Sequence, residues 1–290
     1  MPGLQFIKIL GNLKFFSHGL KLPVNWQAPS GSDPSKQYSD SLKPTEKVAV
    51  PQLVPPWFMP AEPQKYFQDS ADKIGNEFKK FHDDMLDAVQ FAHNMWKLQA
   101  KFQNLQVMGP SAIGSPGCLD GPELESLIKN APQCAAYTGN KAKYRDAVAA
   151  GVSKCFKDWQ SQVMVPGLPW YPAFAMFPGP MAPPMPNIPT PLIACPSAMM
   201  ARMATPMQIA SEMKNALDGG MQNDDKDKQF EALFDALATV ISLAFMIWLP
   251  SQQVMLVMGK GPIPTFAPPF VPAGPVLGGD NLPVPGSLMS

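Results

Sequence analysis

Hydrophobic positions recur at helical spacing in several segments of the chain that lack proline. This spacing predicts a long helix from Gln64 to about Leu105, which Gly75 could divide and which stops at Gly109-Pro110. Further helices, some opened by a proline in the first turn, are predicted over residues 122–130, 140–164, 205–218 and 227–249.

Proline-rich apolar segments separate these helices. Residues 166–191 contain ten prolines, which predicts polyproline II or turn-linked extended chain rather than regular helix or central strand. Residues 48–60, VAVPQLVPPWFMP, predict an extended apolar ribbon that packs either on its own chain or on a neighbour. Residues 254–258 predict a short strand, and the tail from 259 to 290 is again rich in proline.

Three of the helices align on a tryptophan: Trp96, Trp159 and Trp248. A small residue stands four positions before each tryptophan and a β-branched residue stands seven before. Each tryptophan is followed, at varying distance, by Gln-Val-Met and then by a Gly/Pro-rich segment. Because the shared positions lie on one helical stripe, the alignment predicts a threefold internal repeat.

The predicted fold is therefore mainly α, with long Pro-rich extended segments and three helix-plus-ribbon repeats. The repeats either stack as a solenoid or close around a pseudo-threefold axis, and having only three units favours closure. The predicted organisation is an extended N-terminal arm over 1–60, repeat 1 over 61–130, repeat 2 over 131–200, and repeat 3 with the Pro-rich C-terminal tail over 201–290.

Composition and charge bear on the partners. The 23 basic and 23 acidic residues cancel, so no long-range field is expected to attract nucleic acid. Charged residues make up 16% of the chain, whereas 46% is hydrophobic and 35 of 290 residues are proline. A surface so poor in charge predicts that neighbouring protein subunits cover much of it.

No catalytic, cofactor-binding or metal-binding residues are predicted, and the chain is not expected to be an enzyme. His82 and His93 are eleven residues apart, which separates them by roughly 16 Å along a helix, too far for one metal ion. The sequence contains no nucleophile elbow, phosphate loop, dinucleotide fingerprint or calcium loop. The cysteines, at 118, 134, 155 and 195, form no CxxC pair, which predicts buried free thiols made in a reducing cytoplasm.

Residues 236–249 form an uncharged stretch that is too short to span a bilayer and that predicts a buried helix. An alternative remains a membrane-active protein, with an interfacial helix within residues 1–22 and a re-entrant hydrophobic helix over 236–249.

In composition the chain resembles structural proteins of phage tails and related contractile injection systems, which are also neutral, apolar and Pro-rich, with arms and internal repeats. The resemblance covers no defined motif and assigns no residues. It implies a non-catalytic component of a virion or injection particle, whose partners are other structural proteins. Because a closed pseudo-trimer repeats its surface three times, the predicted component is an adaptor or plug near the particle axis. The predicted packing anchors are Trp57, Phe58, Trp96, Trp159, Trp170, Trp248, Phe266 and Phe270.

Overall fold

The computed structural model describes residues 3–18, 65–225, 228–268 and 273–289. The predicted ribbon over 48–60 and the predicted anchors Trp57, Phe58 and Phe270 lie outside these residues. Within them the α-helices are α1 Lys8–Ser17, α2 Lys65–Gln99, α3 Leu124–Lys129, α4 Gly139–Ser161, α5 Pro172–Ala175, α6 Met200–Ala204, α7 Pro206–Ala216, α8 Gly219–Asp224 and α9 Gln229–Ser251.

The helices predicted from the spacing are confirmed to within a few residues, with one correction. Helix α2 runs without interruption through Gly75 but ends at Gln99, so its predicted extension to Leu105 is wrong. The chain becomes extended at Lys101, where β1 begins. Within the predicted N-terminal arm, residues 8–17 form α1, which packs against α2 and α9.

The helical core converges on the three aligned tryptophans. Trp96, Trp159 and Trp248 lie in the last turns of α2, α4 and α9, and their ring centroids are 6.2–6.3 Å apart in all three pairs. The Trp96 indole N–H donates to Gln160 Oε1 at 2.8 Å. The stripe that precedes each tryptophan is buried as well: Met85, Val89, Ala92, Val148, Val152, Cys155, Leu237, Ile241 and Ala244.

The Gly/Pro-rich segments form sheets. The strands are β1 Lys101–Phe102, β2 Gln106–Met108, β3 Ser111–Gly114, β4 Leu119–Asp120, β5 Val165–Pro169, β6 Met181–Pro186, β7 Thr190–Pro191, β8 Gln253–Val254, β9 Met258–Pro262, β10 Leu277–Leu282 and β11 Leu288–Met289. Six of them build one antiparallel sheet in the order β5-β3-β2-β10-β9-β6. Two smaller sheets have the orders β1-β4 and β11-β8-β7.

The proline-rich segment 166–191 supplies both edges of the six-stranded sheet. Strands β5 and β6 stand at its two ends, where a missing backbone N–H costs no ladder hydrogen bond. The two edges approach each other at one end, because Ile188 N–H donates to the Pro169 carbonyl at 2.8 Å and Trp170 pairs with Asn187. The sheet therefore curls toward a closed barrel.

Several inward positions of this curled sheet hold very small residues. A Cβ on Gly261 would lie 2.5 Å from Gly279 Cα, and one on Gly259 would lie 2.8 Å from the Trp170 ring. Ala112 and Ala182 are also fully buried. The tight curvature of the sheet thus depends on inward positions that have almost no side chain.

The predicted mainly-α fold of three helix-plus-ribbon repeats is wrong, because the protein is mixed α/β with a six-stranded antiparallel sheet. The segments after the three tryptophans do not remain with their own helices. In the middle of the sheet β2, from the segment after the first helix, pairs with β10, a strand of the C-terminal tail. The physical reason is that the backbone N–H groups between the prolines need partners, and a shared sheet supplies them.

Gly261→Ala should lower the free energy of unfolding by about 1–3 kcal/mol, because the new methyl group would meet backbone that cannot move away. The matched control is Gly167→Ala in edge strand β5, where the nearest atom to the new Cβ is Ser111 Oγ at 3.8 Å. The control should change stability by no more than about 0.5 kcal/mol. Urea unfolding followed by circular dichroism measures both values, and equal effects would contradict the tight interior of the sheet.

Candidate interaction surface

The convex side of the six-stranded sheet carries an exposed apolar surface on strands β3, β2 and β10. Side chains alternate along β2 and β3, so that Val107 and Ala112 are buried while Met108 and Ile113 are 54% and 51% exposed. Met108 stands opposite Leu277, which is 42% exposed, and Gln106 stands opposite Ile113. We call Gln106, Met108, Ile113 and Leu277 the outer patch.

The surface next to the outer patch is almost free of charge. Lys260 and Asp280 stand opposite each other on β9 and β10, with Nζ and Oδ1 3.7 Å apart, so that this pair contributes no net charge. Further round the sheet, Met181 is exposed and stands opposite Pro262. Methionine is enriched in the buried centres of protein interfaces, and lysine and aspartate are depleted there.

The lack of charge extends through all the segments that build the sheet. No charged residue occurs between Lys101 and Asp120 or between Asp158 and Arg202. After Asp235, only Lys260 and Asp280 are charged. The ion pairs of the helical half, such as Arg202–Asp158 at 2.8 Å, come from the rest of the chain. Most charged residues therefore lie in the helical part of the molecule, and the six-stranded sheet carries very few.

The edges of the sheet are poor sites for an added strand. Both edge strands contain prolines, at 166 and 169 in β5 and at 183, 184 and 186 in β6, and their ends are joined through Ile188 and Pro169. Pairing with an external strand needs a row of free N–H groups, which these edges lack. A partner would therefore contact the convex side of the sheet rather than extend it.

The predicted anchors that the structure describes lie inside the chain. Trp96, Trp159 and Trp248 form the junction of the three helices. Trp170 is buried at the sheet, where its indole N–H donates to the Met185 carbonyl at 3.0 Å. Phe266 is partly buried against the core. These rings stabilise the chain itself. The predicted anchors are all tryptophan or phenylalanine, so the prediction did not include the residues of the outer patch. The charge-free spans were the signal in the sequence that could have found them.

The two helical histidines are both buried, but in separate places. His82 faces α1, and its Nδ1 is 3.0 Å from Asp83 Oδ1. His93 lies at the tryptophan junction, perpendicular to Trp248 with ring centroids 4.5 Å apart. In the part of the chain that the structure describes, no three His, Cys, Asp or Glu side chains are grouped to hold a metal ion.

His93 is held in its neutral form. Its Nδ1 accepts the backbone N–H of Leu4 at 3.4 Å, while Nε2 has no hydrogen-bond partner among the described residues. Burial lowers the pKa of His93 to about 3, and the positive charge of Lys97 adds to the effect. Lys97 is itself buried without a partner for Nζ in the same described part, and burial lowers its pKa too.

The four cysteines are free and buried, as predicted. Burial raises the pKa of Cys118 and of Cys155 to about 11 and that of Cys195 to about 12. It also raises the pKa of Cys134. A nucleophilic thiolate would therefore not form at these positions near neutral pH.

No protein-family model, curated protein or solved structure matches the chain.

His93 should make the fold sensitive to acid. Its folded pKa lies below the unfolded value of ~6.5, so the stabilisation is complete above that pH and is lost as the pH falls toward 3. His93→Asn keeps an acceptor for the Leu4 N–H and removes the titration. Between pH 7 and pH 4 the variant should lose on the order of 2–4 kcal/mol less than the unchanged chain. If urea unfolding shows that both proteins lose the same free energy of unfolding between pH 7 and pH 4, His93 is not the source of the acid sensitivity.

Proposed function

We propose that the protein is a non-catalytic structural component of a large assembly, and that the outer patch is the surface through which a neighbouring protein holds it. One observation carries the proposal: an exposed apolar surface, with a single neutralised ion pair beside it, on a sheet whose edges cannot accept a further strand. Exposed apolar surface of this kind marks contact sites in soluble proteins.

The energetics support contact through the convex side of the sheet. Met108, Ile113 and Leu277 are each about half exposed, so a partner that removed the rest of one side chain from water would contribute roughly 0.7–1.5 kcal/mol. The desolvation cost that opposes this gain is small at β9 and β10, because Lys260 and Asp280 there already face each other. Flexible methionine side chains can adjust their shape to the partner.

The kind of assembly is proposed from composition. A neutral, Pro-rich and apolar chain resembles the structural proteins of phage tails and contractile injection systems, so a virion or an injection particle is the proposed setting. The expected place near a particle axis rested on three equivalent repeats. Because the fold lacks such repeats, the axial position is not part of the proposal.

Sedimentation of a native lysate tests the proposal. The tagged chain should sediment with a large particle, far ahead of a free protein of 31.5 kDa. Ile113→Asp puts a charge into the outer patch and should move most of the chain to the free fraction, because burying that charge costs more than the contact provides. The control is Met207→Asp, on the exposed surface of α7, which should stay in the particle.

Circular dichroism of the two purified variants separates loss of contact from loss of fold. If the unchanged chain sediments as a free protein in the organism that makes it, the assembly proposal is wrong. If Ile113→Asp stays in the particle while folded, the outer patch is not the contact surface.

The membrane-active alternative has one observation in its favour, because α1 exposes Ile9 and Leu13 to solvent and Ile7, just before the helix, is exposed too. Among the described residues, α9 is the one helix long and apolar enough to cross a bilayer, but 72% of its apolar window is buried inside the chain. Insertion of α9 would therefore require unpacking of the core.

Flotation with anionic liposomes at neutral pH distinguishes the two functions. Under the assembly proposal the chain should remain at the bottom of the gradient, because Lys8 and Lys14 are already paired with Asp87 and Asp235. Flotation of the chain that is abolished by Ile9→Asp would instead support an interfacial role for α1.

A further inference from the structure

Helix α1 occupies a site shaped for a helix between α2 and α9. Its buried side carries Gly11 and Phe15, and Leu4 in the segment before it is buried as well, whereas Ile9 and Leu13 point to solvent. Gly11 permits the close approach, because a Cβ there would lie 2.3 Å from His82 Nε2 and 2.8 Å from Val240 Cγ2. We call this site the α1 groove. The α1 groove therefore selects a helix by its close steric fit as well as by burial of its apolar side chains.

The charges across the α1 groove are complementary. Lys8 pairs with Asp87 at 2.7 Å, and Lys14 pairs with Asp235 at 3.2 Å. His18 Nε2 also lies 3.0 Å from Asp235 Oδ2. The helix therefore presents basic groups and the groove presents acidic ones, which fixes both the direction and the register of docking.

Several polar atoms remain unsatisfied under α1. His82 Nε2 and Asn12 Oδ1 are buried and have no hydrogen-bond partner among the described residues, and the same is true of Nε2 of His93, whose Nδ1 contacts the segment before α1. Buried polar atoms without partners oppose docking. The side chains of the ion pairs are between 35% and 40% exposed, and ion pairs that water reaches contribute little to stability. The groove thus binds α1 specifically but weakly compared with the core.

Chain length does not restrict α1 to its own molecule. The 47 residues from 18 to 64 separate α1 from α2 in the sequence. A connection of that length can reach up to about 150 Å. The connection is therefore long enough for α1 to enter the groove of a second copy that lies within this distance.

We propose that the α1 groove accepts α1 from a second copy of this chain, so that neighbouring copies exchange their N-terminal helices. The contacts are those of the intramolecular complex, because exchange of an identical element needs no new surface. This site is separate from the outer patch, and the two proposals do not depend on each other.

Disulfide trapping between two full-length chains tests the exchange. One chain carries Lys8→Cys and the other, with a different tag, carries Asp87→Cys. The native cysteines are buried and should not interfere. A covalent heterodimer should accumulate as α1 leaves its own groove and enters the other. The control donor is Ile9→Cys, on the exposed side of α1, and it should crosslink at least about tenfold more slowly because only random collision brings it to position 87.

Reversing the charges of one ion pair should favour docking of α1 in the second chain over docking in its own. Adding Lys14→Glu to the donor and Asp235→Lys to the acceptor sets like charges together within each chain and opposite charges between the chains. The heterodimer should then form several-fold faster than with the unreversed pair. Gly11→Val in the donor should return crosslinking to the level of the Ile9→Cys control, because its side chain would meet His82.

The exchange proposal is wrong if the Lys8→Cys and Asp87→Cys chains form the heterodimer no faster than the Ile9→Cys control, with or without the charge reversal. This must hold at every protein concentration up to the solubility limit. The proposal is also overturned if Gly11→Val leaves the rate unchanged. Either result would leave the outer-patch proposal standing, since that proposal is judged by sedimentation of the Ile113→Asp variant.

Discussion

The packing of three indole rings decides where the helical half of this protein ends and the sheet begins. Trp96, Trp159 and Trp248 close the last turns of α2, α4 and α9 and contact one another at nearly equal distances. A ring of that size, fully buried, fixes the end of its helix against the other two. Each segment then leaves the junction in a new direction, and β1, β5 and β8 begin within a few residues of it.

The helices could be predicted from the sequence, because each one buries a stripe that is visible within a single segment. The alignment on tryptophan found residues that do meet in space, although the repeat it predicts does not exist. The strands after the tryptophans could not be predicted in the same way. The pairing of β2 with β10 joins residues such as Met108 and Leu277 that are far apart in the chain, and no local pattern encodes it.

The strands of the sheet also lack a clear alternation of apolar and polar residues in the sequence. Alternation of apolar and polar residues indicates a strand only when the inward positions are large and apolar, and here β9 places Gly259 and Gly261 inward. Prolines in β5 and β6 argued against strands, but they occupy the two edges, where proline is tolerated. For the same reason the candidate surface was missed, since the exposure of Met108 and Ile113 depends on strand pairing and not on residue type.

The segregation of charge gives the molecule two surfaces with different physical behaviour. Contact through the outer patch would depend on burial of apolar area, which salt does not screen. Docking of α1 depends to a small extent on partly exposed ion pairs such as Lys14–Asp235, which salt does screen. Raising the ionic strength should therefore loosen α1 while leaving the sheet contact intact. A chain built in this way can be held firmly through its sheet while its N-terminal helix stays exchangeable.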